Sequence, residues 1–141
     1  FGAARAIAYR DEDFAAIVRE AGGADVVLDM VGGDYIPRNV AALRHGGRLV
    51  MIAFLKGGRA ELDFTAVMAK RLTLTGSTMR PRSVAEKTAI RDALLERVWP
   101  AFASGQLRTL VHAEFPLAEA AAAHQLMESG EHSGKIVLAV R

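Results

Sequence analysis

Apolar runs that do not alternate with polar residues, each closed by glycine or small residues and each followed by a helix-like segment, constrain this chain more than any other feature. Asp25-Val26-Val27-Leu28-Asp29-Met30-Val31 runs into Gly32-Gly33, and residues 48–54 form a second continuous apolar segment. Such runs predict strands buried on both faces. Leu72-Thr73-Leu74-Thr75-Gly76 alternates as a further strand should. The intervening stretches carry helical spacing. Phe14, Ile17, Val18 and Ala21 lead to Gly22-Gly23, with Asp11 read as the N-cap. Ile36, Val40 and Leu43 share one face of a helix over 34–44 that Gly46-Gly47 closes, and 64–71 is a short helix. A short apolar stretch, Ala6 to Tyr9, precedes them all. Repeated β-α units of this kind predict a parallel sheet covered by helices, so residues 1–78 read as α/β.

The second half has a different pattern. Arg80-Pro81-Arg82 breaks the chain, and Ser83-Val84-Ala85-Glu86 is a capping box that opens a long helix. Ile90, Leu94, Val98 and Phe102 repeat along it with Leu95 and Trp99 alongside, and Pro100 kinks it or marks its last turn. Gly105 ends it; 107–115 is a candidate strand, 117–129 an alanine-rich helix stopped by Gly130, and 135–140 a final strand.

Composition removes several function classes. With 141 residues and 51% hydrophobic content, the chain can bury a core, which excludes disorder. Its net charge is only +2, with scattered basic residues, so no stripe suited to nucleic acid is present. The longest apolar run, 49–55, falls far short of the ~20 residues a membrane span needs. No signal peptide opens the chain, so a cytoplasmic location is expected. There is no cysteine, and His45, His112, His124 and His132 lack metal-ligand spacing, so no metal site is expected. No serine sits in a nucleophile elbow.

Parallel sheets bind ligands outside the carboxyl ends of their strands. Those ends are read as Tyr9, then Val31-Gly32-Gly33, then Ala53-Phe54-Leu55, then Gly76-Ser77. The helix near Asp34 offers amide groups to an anion unless Asp34 caps them. Asp29 is expected to bond the next turn rather than a ligand, and Glu61 and Asp63 read as capping charge. No G-x-G-x-x-G occurs, so nothing here cradles a pyrophosphate alone. Together with the start at Phe1, this leads us to expect the first strand and its phosphate turn upstream.

The segments 6–14, 23–33, His45-Gly46-Gly47-Arg48-Leu49-Val50, Leu74-Thr75-Gly76-Ser77 and Ser133-Gly134-Lys135-Ile136-Val137-Leu138 occur in the order seen in NADPH-dependent quinone oxidoreductases. The chain thus resembles the C-terminal portion of the zinc-independent, zeta-crystallin-like branch of the medium-chain dehydrogenase/reductase superfamily. The resemblance implies a partial Rossmann-like, doubly wound parallel sheet over 1–78. The C-terminal segment of the GroES-like catalytic domain would follow over 79–141.

It also implies site residues for NADPH. Tyr9 matches a contact to the 2′-phosphate. Met30, Val31 and Gly32 match the strand end beside the adenosine half, and Ala53, Phe54 and Leu55 the nicotinamide side. Ser77 and Met79 match positions bounding the carboxamide pocket, and Ser133, Gly134 and Lys135 a segment near the cofactor. Ala8 and Ala53 depart from the asparagine and glycine often found there. The intact enzyme would pass hydride to a quinone or an α,β-unsaturated carbonyl, with the isolated chain inactive. No catalytic acid or base is identified. Pairing through the edge strand 72–76 would give a homodimer. An enoyl-thioester reductase and a non-catalytic dimerisation or structural module are the alternatives.

Overall fold

The structure, a computed structural model, describes residues 2–140. The chain divides into two compact units, with the boundary between Arg82 and Ser83.

In the first unit, helix α1 (Phe14–Glu20) is followed by β1 (Ala24–Asp29), α2 (Tyr35–Ala42), β2 (Leu43–Met51), α3 (Phe64–Ala69) and β3 (Thr73–Gly76). The three strands form one sheet in the order β1-β2-β3, parallel throughout, which leaves β3 at an edge. Val40 of α2, Leu43 and Leu49 are its fully buried centre, with Val27, Ile36, Val67, Leu72 and Leu74 packed around them. Each of the three buried side chains contributes about 1.5–3 kcal/mol through burial. The expected α/β architecture with a parallel sheet is therefore present.

Several local expectations need correction. Asp13, not Asp11, caps α1: its carboxylate accepts the Ala15 amide at 3.0 Å. Asp11 is instead held in a turn by the Ala8 carbonyl at 2.8 Å. Residues 6–9 form no strand, because no neighbouring strand pairs them among the described residues. Tyr9 therefore projects from a turn rather than a strand end. Strand β1 is not covered on both faces: Val26 and Leu28 stand 60% and 65% exposed, and only the alternate face packs under α2 and α3.

Gly46-Gly47 does not close α2. That helix ends at Ala42, and β2 already starts at Leu43, opposite Ala24. The register then jumps to Val26 opposite Arg48, so the glycine pair lies in a bulge within β2. The strand ends at Met51, short of Phe54.

The second unit holds α4 (Val84–Arg97), α5 (Trp99–Ala103), β4 (Val111–Pro116), a 3-10 turn (Leu117–Glu119), α6 (Ala120–Ser129) and β5 (Lys135–Ala139). The capping box is complete: Glu86 accepts the Ser83 amide at 2.8 Å while Ser83 Oγ accepts the Glu86 amide at 3.2 Å. The long helix breaks at Val98, and Pro100 sits in the first turn of α5, where its missing N–H is harmless. The apolar stripe stays largely open, with Leu94, Leu95, Trp99 and Phe102 all exposed. Strand β4 starts only at Val111 and pairs with β5 in parallel, α6 making the crossover.

Candidate functional site

The carboxyl end of β1 is shaped by Asp29. This residue is 3% exposed, and its carboxylate accepts the amides of Val31 (2.8 Å) and Gly32 (3.2 Å). The turn role expected for it is the one it has. Residues that follow β2 then run alongside: Ile52 donates to Asp29 O (2.8 Å), Leu55 to Met30 O (3.2 Å) and Lys56 to Val31 O (2.7 Å). Gly33 closes the arrangement on Gly57 O at 2.8 Å. Gly32 adopts φ +70°, and a Cβ there would lie 2.5 Å from Gly57 O and 2.7 Å from the Phe54 ring. The missing side chain at Gly32 thus admits the 54–57 loop.

Beside this crossing lies a cleft of about 540 Å³ whose walls include Tyr9, Leu28, Met30, Val31, Tyr35, Leu55 and Lys56. Tyr35 stacks on Phe14 with centroids 5.4 Å apart. The Arg38 guanidinium lies 4.5 Å from the Phe14 centroid, and the Lys56 ammonium 5.0 Å from that of Tyr35. Arg38 also pairs with Asp13 at 3.1 Å, whereas Lys56 stands 3.8 Å from Asp34. Close to Tyr9 in sequence, Glu12 accepts the Ala8 amide at 2.7 Å and Arg5 at 3.0 Å. Those bonds, the amide first, hold the Glu12 carboxyl below its ordinary range.

Tyr35, Asn39 and Lys56 line this cleft and were not anticipated. Their signal was positional: each follows a strand end by less than three turns of helix or one loop. Asp34 makes no side-chain cap, yet the first-turn amides are not all open to an anion. Those of Tyr35 and Ile36 donate to Gly32 O and Gly33 O at 3.1 Å.

A second cleft, about 430 Å³, opens at the ends of β2 and β3 between Met51, Ile52, Ala53, Phe54, Gly76, Ser77 and Thr78. The Ser77 amide continues the ladder to Met51 O at 3.0 Å. Arg82 reaches back to this rim, its Nη2 donating to Ser77 Oγ and its Nε to Thr78 O, both at 3.2 Å. Met79 lies in the following turn, half exposed and outside the lining of both clefts.

Ser133, Gly134 and Lys135 belong to the second unit, where they start β5. Lys135 donates its amide to Leu110 O at 2.8 Å, and Ser133 its amide to His112 Nδ1 at 3.5 Å. Gly134 has φ +95°, and a Cβ would sit 2.4 Å from Leu110 O. Among the described residues no group of three or more His, Asp or Glu could hold a metal, and no helix is long and apolar enough to cross a membrane.

A parallel sheet with clefts at its strand ends defines the ligand-binding half of an α/β domain. The comparisons give it a family. A family model described as zinc-binding dehydrogenase matches residues 1–138, and the chain belongs to that family. A highly reducing polyketide synthase of Gibberella zeae is 33% identical over 84% of this chain, which spans 5% of that protein. A probable quinone oxidoreductase of Schizosaccharomyces pombe is 29% identical over 82% of the chain, which spans 35% of it. The quinone oxidoreductase of Thermus thermophilus, solved alone and with NADPH, superposes with a TM-score of 0.77 at 27% identity. That match covers 91% of this chain and 40% of the solved one. The resemblance to quinone oxidoreductases of the medium-chain dehydrogenase/reductase superfamily, drawn from motif order, accordingly holds, with a Rossmann-like sheet.

Proposed function

We propose that the chain is the cofactor-holding, C-terminal part of a zinc-independent, NADPH-dependent reductase whose acceptor is a quinone or an α,β-unsaturated carbonyl. The observation that carries this reading is the pair of clefts at the ends of three parallel strands. Tyr9, Met30, Val31 and Leu55 line one, and Ala53, Phe54 and Ser77 the other. We assign the first unit to the coenzyme domain and the second to the catalytic domain.

The residues present fit such a cofactor. The first cleft has apolar walls for a heterocycle, together with the Tyr9 hydroxyl and the Lys56 ammonium, which suit a phosphate. Lys56 is held by a loose ion pair to Asp34 and by the face of the Tyr35 ring. NADPH, when bound, supplies the hydride at C4 of its nicotinamide. The chain's own part is to orient and to keep water out: Met51, Ile52, Ala53 and Phe54 give the second cleft an apolar wall, and Ser77 and Thr78 a polar edge. Met79, in the turn after β3, is proposed as a further cofactor contact of the first unit, and Ser133-Gly134-Lys135 are proposed separately as a cofactor-contacting segment of the second. Edge strand β3 would join two copies into a homodimer.

The test is NADPH and NADH binding, followed by fluorescence, to the full-length protein that carries this chain, then quinone-dependent NADPH oxidation. Tyr9→Phe should erode the preference for NADPH, and the 141 residues alone should show no quinone-dependent turnover. Equal, weak binding of both nucleotides would overturn the reading. The similarity to a polyketide synthase favours a second reading, in which the acceptor is an enoyl thioester. Faster turnover of a crotonyl thioester than of any quinone would select it.

A further inference from the structure

Ser77 and Arg82 form a small polar device at the edge of the second cleft. Apart from Ser77 and Thr78 the cleft is apolar, walled by Met51, Ile52, Ala53 and Phe54. Arg82 donates from Nη2 to Ser77 Oγ at 3.2 Å and from Nε to Thr78 O at 3.2 Å. A guanidinium has five donors and no acceptor, so Ser77 Oγ must be the accepting partner. The two contacts come from different nitrogens of one planar group, which fixes the orientation of Arg82 across the turn. The Ser77 amide is already spent on Met51 O at 3.0 Å, so the backbone of this residue is anchored to β2.

The hydroxyl keeps its hydrogen and one lone pair, and no acceptor for that hydrogen is found among the described residues. A hydroxyl that accepts from a cation is polarised and becomes a better donor.

We propose that Arg82 is a positioning residue. It occupies one lone pair of Ser77 Oγ and so turns the hydroxyl hydrogen toward a ligand carbonyl oxygen in the second cleft. This rests on the reductase reading above. The carbonyl has two possible sources, the carboxamide of the nicotinamide or the acceptor substrate, and they share one chemistry. No bond is made or broken at Ser77; the effect is selection and alignment of a carbonyl group in a nearly apolar cleft.

The experiment uses the full-length protein with Ser77→Ala, Arg82→Met, Arg82→Lys and the double variant Ser77→Ala/Arg82→Met. NADPH dissociation constants are read by fluorescence titration, acceptor KM and kcat at saturating NADPH, and folding by thermal melting. Loss of one neutral hydrogen bond should weaken the affected ligand roughly 3- to 10-fold for Ser77→Ala. Arg82→Met should weaken the same ligand, and the double variant should bind it no worse than Ser77→Ala alone, because Arg82 reaches the ligand only through Ser77. Loss of its other bonds, such as that to Thr78 O, is read in the melting temperature. Arg82→Lys, which lacks the two-nitrogen grip, should restore only part of the loss.

An effect on NADPH affinity identifies the carboxamide, and an effect on acceptor KM alone identifies the substrate carbonyl. Unchanged binding and KM in Ser77→Ala overturn the proposal while leaving the reductase reading in place. So does a full additional loss from Arg82→Met in the Ser77→Ala background. Wild-type protein that binds no nicotinamide nucleotide overturns the reductase reading itself.

Discussion

The ammonium of Lys70 lies 2.9 Å from the carbonyl oxygen of Leu43, at the point where helix α2 turns into strand β2. It also donates to Ala41 O at 3.0 Å and, more weakly, to Val40 O at 3.4 Å. A helix ends with carbonyls that lack partners and carry partial negative charge. Here one cation, brought from the far end of α3, satisfies three of them, and the helix can stop without a glycine. Lys70→Met keeps the aliphatic stem but leaves those carbonyls bare. We expect a loss of about 1.5–3 kcal/mol, the usual worth of hydrogen bonding to a charged group, read from urea unfolding midpoints. A loss below a few tenths would mean that water replaces the ammonium.

The crossing of the 54–57 loop over Gly32 makes a sharper prediction. Gly32→Ala meets both a positive φ and a carbonyl oxygen 2.5 Å from the new Cβ. The backbone penalty alone is about 1–2 kcal/mol, and the clash adds to it, so we expect a loss of about 3 kcal/mol or more. Gly22→Ala shares the positive φ, at +97°, but has nothing within 4 Å. It should show only the backbone part. Equal losses at the two positions would show that the Gly32–Gly57 contact is not a stability determinant.

Asp29 allows a graded test in the same turn. Asp29→Ala leaves the part-buried amide of Val31 and the buried amide of Gly32 without acceptors, a loss of about 2–4 kcal/mol. Asp29→Asn keeps one oxygen and should lose about half as much. If the two variants unfold at the same urea concentration, the single oxygen that asparagine keeps carries no weight; if Asp29→Asn unfolds with the wild type, the second oxygen carries none.

What sequence reading reached, and what it missed, follows from how local each cause is. The capping box at Ser83 and Glu86 and the αL glycine that ends α6 rest on three or four neighbouring residues, and they were readable. Asp63 was readable as a cap for the same reason. The bulge at Gly46-Gly47 was not, because glycine pairs close helices and open bulges with equal ease. Only the pairing of Leu43 with Ala24 decides between them, and that contact is distant in sequence. Apolar runs in β1 and β2 marked core strands correctly, but periodicity cannot say whether a second layer covers Val26 and Leu28. In the clefts, strand ends located Met30, Val31, Ala53, Phe54 and Ser77. Lys56, Tyr35 and Arg82 arrive from a loop, a helix start and a turn, and only the folded chain brings them to the rim.

The pH dependence of stability should trace to Asp13. Its carboxyl is held below the ordinary value of 3.8, first by the Arg38 hydrogen bond and then, against some desolvation, by the Ala15 and Ala16 amides. A carboxylate with a lowered folded-state pKa releases its proton more readily folded than unfolded. Its stabilising effect is complete above the unfolded value and is lost as pH falls through the folded one. The melting temperature should therefore be flat from pH 7 to about 5 with respect to this group, and should fall as the pH drops below about 4. Asp63 adds to the same slope, since bonds from the Thr65 side chain and amide hold its carboxyl low. Asp13→Asn removes the titrating group while keeping an N-cap oxygen, so the variant should melt lower at pH 7 but lose less on acidification. Parallel melting curves for wild type and Asp13→Asn between pH 5 and pH 3 would assign the acid sensitivity to other carboxylates. Raising salt discriminates further: the Arg38 contact is exposed and should weaken, whereas the amide bonds from the helix should persist.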